Sequence, residues 1–304
     1  MQYTPAKQLY TKAMYQRRPR KTKSHKPYYV LAIVVVIITG IAGTLLRWPD
    51  NAQAPAPAST KPKTSSKTQQ KPQLAAPPKI DLQPTVDQWA ASQSGDYSIV
   101  VYDPANKAVI ASHQPDKQFF TASIYKLYVA YLALIDIQNG TQNPDTPVLG
   151  GQTLKQCIHK MIHSSDSPCG EKVLNTMGLA TVTKQLNTEF KLTNTSFPAF
   201  VTSAQDAATI LRRLQAKQDL NEENTTFLLD AMKTQIYRTG LPKGMPEATV
   251  ADKIGFNDPL EWHDTAIITL PNGREYIVSI LGGGGVRSAN IASFGQTIYA
   301  RLSE

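Results

Sequence analysis

The stretch Phe119-Phe120-Thr121-Ala122-Ser123-Ile124-Tyr125-Lys126-Leu127-Tyr128 puts a hydroxyl and an amine three residues apart at the start of an apolar, helix-patterned run. A helix beginning near Thr121 carries Ser123 and Lys126 on one face about a turn apart, so the amine reaches the hydroxyl. A serine hydroxyl is a poor nucleophile at neutral pH and needs a neighbouring base. A lysine desolvated against Phe119, Phe120 and Tyr128 loses proton affinity and can serve as one. Backbone N–H groups at the helix start lie where an oxyanion forms in acyl transfer. By itself Ser-x-x-Lys is weak evidence, because chance supplies it often and a helix-start Ser with a solvated Lys is the plainer reading.

Two further clusters bear on that pair. Ser164-Ser165-Asp166-Ser167 falls between one helix ending near His163 and another starting near Pro168. Its hydroxyls can project into a cleft while Asp166 caps the following helix or fixes the loop. Val250-Ala251-Asp252-Lys253-Ile254-Gly255-Phe256 is a strand whose Lys253 can bind a carboxylate, and Gly255 leaves room for substrate backbone at the strand edge. The plain alternatives are a capping loop and a solvated strand lysine. His159 and His163 have metal-ligand spacing, but no Glu follows the first, and they read as structural helix histidines. His263-Asp264, at the start of a strand, also reads as structural. Gly282 to Gly285 lacks a phosphate-binding lysine and fits a turn. Cys157 and Cys169 are either a disulfide or two separate buried thiols.

The elements that position these groups follow from periodicity. A short helix is expected over 86–93, then strands over 97–102 and 107–112 joined as a hairpin at 103–106, then the Ser123 helix to about Ile137. A helical block covers 153–163, 170–177, 179–190, 204–217 and 222–235. Strands return over 248–253, 265–270 and 275–281, and a helix over 289–302 closes the chain. Two strands, a helical block and three strands give an α+β layout with one antiparallel sheet assembled from both ends of the sequence.

Charge divides the chain differently. Residues 1–80 hold fourteen Lys or Arg against the single acid Asp50, a net +13, whereas 81–304 hold eighteen basic and twenty-two acidic residues, a net −4. The overall +9 thus belongs to the leader, and nucleic-acid binding by the folded part is excluded on charge and on the lack of a basic, aromatic-interleaved stripe. Residues 1–26 form a basic tail. Segment 27–47 is expected to be a transmembrane anchor, uncharged from Pro27 to Leu46 and flanked by Tyr28, Tyr29 and Trp48. Its length and the lack of a following small-x-small site count against a cleaved signal peptide. Positive charge before the span orients the N-terminus to the cytoplasm and everything after Trp48 to the outside. Segment 48–80, rich in Pro, Ala and Lys, is an extended linker with a reach on the order of 100 Å. The folded domain is 81–304.

Ser-x-x-Lys, then Ser-Asp-Ser about forty residues on, then Lys-x-Gly some ninety residues further, resembles the serine β-lactamase and penicillin-binding family, whose elements read S-x-x-K, S-D-N and K-T-G. The resemblance covers 83–304, including Arg238-Thr239-Gly240-Leu241-Pro242 before the lysine strand, and is closest to the class A β-lactamase type. It implies a five-stranded antiparallel sheet flanked by helices with an all-helical subdomain, and Ser123 in the cleft between them. It further implies that Ser123 is acylated by a β-lactam or an acyl-D-alanyl-D-alanine-like amide, that Lys126 is its base, and that Ser165 relays a proton to the leaving nitrogen. Ser167 stands at the substrate-amide position and Lys253 at the carboxylate position, and the N–H groups of Ser123 and Phe256 make the oxyanion hole. The implied partner is a β-lactam or a peptidoglycan stem-peptide-like substrate, met by a monomeric catalytic domain without metal or organic cofactor. Three departures stand out: Ser167 for Asn, Ile254 for a hydroxyl residue, and an acid-free segment 191–203 where class A enzymes carry the Glu that activates the deacylating water. The expectation is therefore slow hydrolysis of the acyl-enzyme. The other reading is a degenerate member that holds peptidoglycan or a partner.

Overall fold

The computed structural model describes residues 80–257 and 259–304. The basic tail, the segment 27–47 and the linker up to 79 lie outside the described residues. Among the described residues no helix is long and apolar enough to cross a membrane.

The elements run α1 (Gln83–Ser92), β1 (Asp96–Asp103), β2 (Ala108–His113), β3 (Phe119–Phe120) and α2 (Tyr125–Gln138). They continue with β4 (Pro147–Leu149), β5 (Gln152–Thr153), α3 (Leu154–His163), α4 (Ser167–Met177), α5 (Leu179–Glu189), β6 (Val201–Thr202), α6 (Ala204–Gln215) and α7 (Glu222–Lys233). The chain closes through α8 (Leu241–Gly244), β7 (Thr249–Asn257), β8 (Glu261–Thr269), β9 (Glu275–Gly283) and α9 (Ser288–Leu302). The expected five-stranded antiparallel sheet forms in the order β2-β1-β9-β8-β7, so strands from both ends of the sequence meet at β1 and β9.

Alternation along the strands feeds two cores. Tyr97, Ile99 and Val101 of β1 join Val278 and Ile280 of β9 beneath Trp89 of α1 and Phe294 and Ile298 of α9. Val100 and Tyr102 face the other way with Ile277 and Leu281, against the helical block. At the centre of that block lies α2, whose residues Tyr125 to Leu134 are all buried. A helix apolar on every side is stable only as the middle of a core. Lys126 is the one charged residue in that buried stretch, and burial forces it to find partners.

Two sequence expectations shift. The Ser123 helix does not start as an α-helix at Thr121: Ala122–Ile124 is a 3-10 turn, and the α-helix begins at Tyr125. Strand β8 starts at Glu261, four residues before the apolar pattern at Thr265, because the polar groups of His263 and Asp264 are buried in the sheet with partners of their own.

Candidate active site

The 3-10 turn bearing Ser123 is pinned from three sides. In the chain just before it, Phe119 and Phe120 pair with Thr202 and Val201 of β6, and Thr121 N donates to Phe200 O at 2.8 Å. Opposite, His263 Nε2 donates to Phe120 O at 2.8 Å while its Nδ1 accepts from Gly282 N at 3.1 Å. Those two bonds define a neutral imidazole, and burial holds its pKa down at about 4. His263 is therefore structural, as expected, yet it acts three residues from Ser123. The third side is β7: a Cβ on Gly255 would stand 2.9 Å from Ser123 N and 3.1 Å from Ile124 N. The missing side chain of Gly255 thus serves the approach of the strand to the nucleophile turn, a use that the sequence alone does not reveal.

Within this frame the predicted polar residues converge. Lys126 Nζ donates to Ser123 Oγ at 2.8 Å, to Ser167 Oγ at 3.0 Å and to Ser165 O at 2.7 Å. Lys253 Nζ donates to Ser165 Oγ at 3.0 Å and to Ile254 O at 2.6 Å. Both amines are buried, and burial lowers the proton affinity of each. Lys126 falls to about 8, with Glu171 and then Asp166 pulling the other way. Lys253 falls well below the usual lysine range, driven further by the nearby Lys126. Lys126 also needs space, which Gly170 provides: a Cβ there would stand 2.9 Å from Lys126 Cε.

The backbone is strained at both hydroxyls. Ala122, immediately before Ser123, has φ 42°, and Ser165 has φ 54°. Left-handed conformations cost L-residues free energy and persist only where surrounding structure enforces them. Here β3, β6 and β7 enforce the first. The second lies between α3 and α4, which the Cys157–Cys169 disulfide joins. That bond resolves the alternative left open for the two cysteines. Asp166 caps α4 through Oδ1, which accepts from Cys169 N at 2.8 Å, so it orients the Ser165 loop.

The remaining site residues flank this cluster. Phe256 is exposed, stacks on Trp262 with ring centroids 4.7 Å apart and meets Tyr237 edge-on at 5.9 Å. This aromatic wall next to Gly255 is not legible in the sequence, since Tyr237 lies in the loop after α7 and Trp262 on β8. Behind β7, Arg238 pairs with buried Asp252 at 2.5 Å, and Gln235 Nε2 donates to the same carboxylate at 2.9 Å. In the acid-free segment 191–203, Thr195 Oγ1 and Asn194 N donate to Asp206 of α6 at 2.7 and 2.9 Å, which ties the segment down. Among the described residues no group of acids, histidines and cysteines could hold a metal ion. His159 and His163 stack on each other with centroids 5.1 Å apart.

The Ser123-bearing turn between a helical block and an edge strand, with this sheet order, defines a class A β-lactamase-like α+β fold. The chain belongs to the β-lactamase enzyme family, whose model matches residues 81–302. Among solved structures it is similar to a putative class A β-lactamase, PenP, from Rhodopseudomonas palustris, at 22% identity and TM-score 0.66 over 72% of this chain and 98% of that one. It is similar to PBP-A at 19% identity and TM-score 0.66 over 75% and 99% of the two chains. A point mutant of PBP-A, described as an acyl-enzyme complex with penicillin G, matches at 20% identity and TM-score 0.65 over 73% and 96%. No curated protein sequence is similar enough to this chain to count as a match.

Proposed function

We propose that this protein is a membrane-anchored, extracytoplasmic serine hydrolase that is acylated at Ser123 by β-lactams or acyl-D-alanyl-D-alanine-like amides and releases the acyl group slowly. The observation that carries the reading is the 2.8 Å contact between Ser123 Oγ and the buried amine of Lys126. With its proton affinity lowered to about 8, that amine is neutral in a useful fraction of molecules near neutral pH and can take the serine proton.

Acylation then runs in two stages. Ser123 Oγ bonds to the amide or lactam carbonyl carbon as its proton moves to Lys126 Nζ, and the N–H groups of Ser123 and Phe256 receive the oxyanion. Collapse breaks the C–N bond, and the leaving nitrogen takes a proton relayed from Lys126 through Ser165 Oγ. Lys253 supports that relay and attracts a substrate carboxylate, while Ser167 contacts the substrate amide and Gly255 keeps β7 close to the nucleophile. Slow release follows from segment 191–203, which supplies no carboxylate to activate water. The segment 27–47 anchors the chain with its N-terminus in the cytoplasm, and the domain acts as a monomer.

The test is intact mass spectrometry of the full chain in detergent, incubated with a penicillin beside Ser123→Ala. A penicilloyl adduct on the unmodified protein and none on the variant supports the reading. No adduct and no drug loss across several β-lactams overturns it in favour of a binding module.

A further inference from the structure

We propose that Glu171, on the second turn of α4, is the general base that activates water for release of the acyl group from Ser123. The inference rests on the acylation reading above and adds the residue that ends the cycle.

Position comes first. Ser167 opens α4 and touches Lys126 Nζ at 3.0 Å; Glu171 is four residues on, one turn along the same helix face. Helical side chains lean toward their own N-terminus, so a carboxylate at Glu171 can reach back along the face that carries Ser167, and its charge is felt at the Lys126 amine. Gly170, its neighbour, packs directly on Lys126, where an added Cβ would stand 2.9 Å from Cε and 3.0 Å from Cγ. Glu171 is half-buried, and among the described residues it forms no ion pair with Lys126 and no hydrogen bond, so its carboxylate is not tied to another group.

Availability comes second. Every other carboxylate around the nucleophile is committed. Asp166 caps α4, Asp206 holds segment 191–203, Asp252 pairs with Arg238, and Asp264 accepts from Leu241 N. Glu261 accepts from the Phe120 backbone. Glu171 is half-buried and uncommitted, and its charge is the stronger of the two acidic influences on Lys126, ahead of Asp166. Burial raises its own proton affinity, and the Lys126 charge opposes that rise. A carboxylate so tuned is a better base than an exposed one.

In the step itself, Glu171 takes a proton from water as the water oxygen bonds to the ester carbonyl carbon of acyl-Ser123. Collapse breaks the carbon–Oγ bond. The expelled Oγ recovers the proton held on Glu171, relayed through Lys126, and the product leaves as a carboxylic acid. One water is consumed, and the protein returns to its starting state.

The experiment follows acylation and adduct lifetime separately, by intact mass spectrometry with a penicillin, for the full chain, Glu171→Gln and Glu171→Asp. Glu171→Gln is expected to acylate within about threefold of the unmodified rate while its adduct lasts about 100-fold longer, the range a general base supplies. Glu171→Asp, with the carboxylate one methylene short, falls between. Hydroxylamine, a nucleophile that needs no base, clears the adducts of all three proteins at similar rates, which a merely structural role for Glu171 does not produce. Equal adduct lifetimes in unmodified protein and Glu171→Gln overturn this inference and leave acylation at Ser123 standing. No adduct and no drug loss with any of the three overturns both.

Discussion

Lys126 and Lys253 meet at a single hydroxyl: Ser165 Oγ lies 3.0 Å from Lys253 Nζ and 3.5 Å from Lys126 Nζ, and both lysines are buried. Two ammonium ions sharing one small acceptor repel each other, and each has lost its hydration. The pair therefore favours one proton fewer than two exposed lysines would hold. An arriving substrate carboxylate favours charge on Lys253, and with that charge fixed, Lys126 more readily stays neutral. In the proposed reaction, this arrangement couples substrate capture at Lys253 to proton loss from Lys126 beside Ser123.

Acylation should accordingly follow the neutral fraction of Lys126. Its pKa of about 8 is a lowered one, so the base form grows as pH rises. The second-order acylation rate is expected to climb about fivefold between pH 7 and pH 8 and to level off above about pH 9. Rates measured with a chromogenic cephalosporin from pH 6 to pH 9.5 check this. A flat profile means that Lys126 is not the base.

His263 supplies a second prediction. Its replacement by Ala leaves the Phe120 carbonyl and the Gly282 amide without their buried partner. Each orphaned group costs about 1–3 kcal/mol, so a loss of about 2–6 kcal/mol is expected in urea unfolding. Acid sensitivity should change too. A folded pKa of about 4, against an ordinary 6.5, is depressed, so the stability this group contributes is full above pH 6.5 and is lost as pH falls toward 4. The gap between unmodified protein and His263→Ala should narrow across that window.

The same histidine marks the boundary of what is legible in the sequence. Ser123 and Lys126 can be read directly, because three residues on a helical path fix their distance. Asp166 is readable as a cap for a similar local reason. The contact of His263 with Phe120 spans 143 residues and depends on β8 pairing with β7 and β9 in one register. Gly255 lies opposite His263 in that register, so its approach to Ser123 is equally hidden. Glu-Trp-His-Asp at the start of β8 lacks apolar alternation, and only the partners of its polar groups reveal it as strand. Glu171 escapes a sequence reading because no local pattern separates it from a solvated helix glutamate.

Gly255→Ala tests how closely β7 must approach the nucleophile. The new methyl would stand 2.9 Å from Ser123 N and 3.2 Å from Ala122 Cβ, against backbone that β3 and β6 already hold. Strand or turn must move by a fraction of an ångström. Overpacking of this kind costs about 1–3 kcal/mol, and a small displacement of a reacting group can cost about 100-fold in rate. The expected result is a modest drop in urea midpoint with a much larger drop in acylation rate. Equal rates in the two proteins would mean that the turn and the strand adjust without cost.

The disulfide gives the last prediction. Cys157 and Cys169 are 12 residues apart, and the loop they close contains Ser165 and Ser167. Cross-linking a loop of that size removes chain entropy from the unfolded state, an effect of about 3 kcal/mol. It also ties the first turn of α3 to the first turn of α4, and the chain between the two cysteines holds Ser165 with its left-handed backbone. Without the link, that conformation is held by the Asp166 cap, the bonds of Ser164 and Asp166 to Lys160 O, and the lysine hydrogen bonds. The double variant Cys157→Ala/Cys169→Ala should therefore unfold at lower urea and acylate more slowly, because a looser Ser165 relays protons less well. Reductant should lower the stability of the unmodified protein by a similar amount and leave the double variant unchanged. A double variant that loses stability but acylates at the full rate would assign the disulfide to the fold alone.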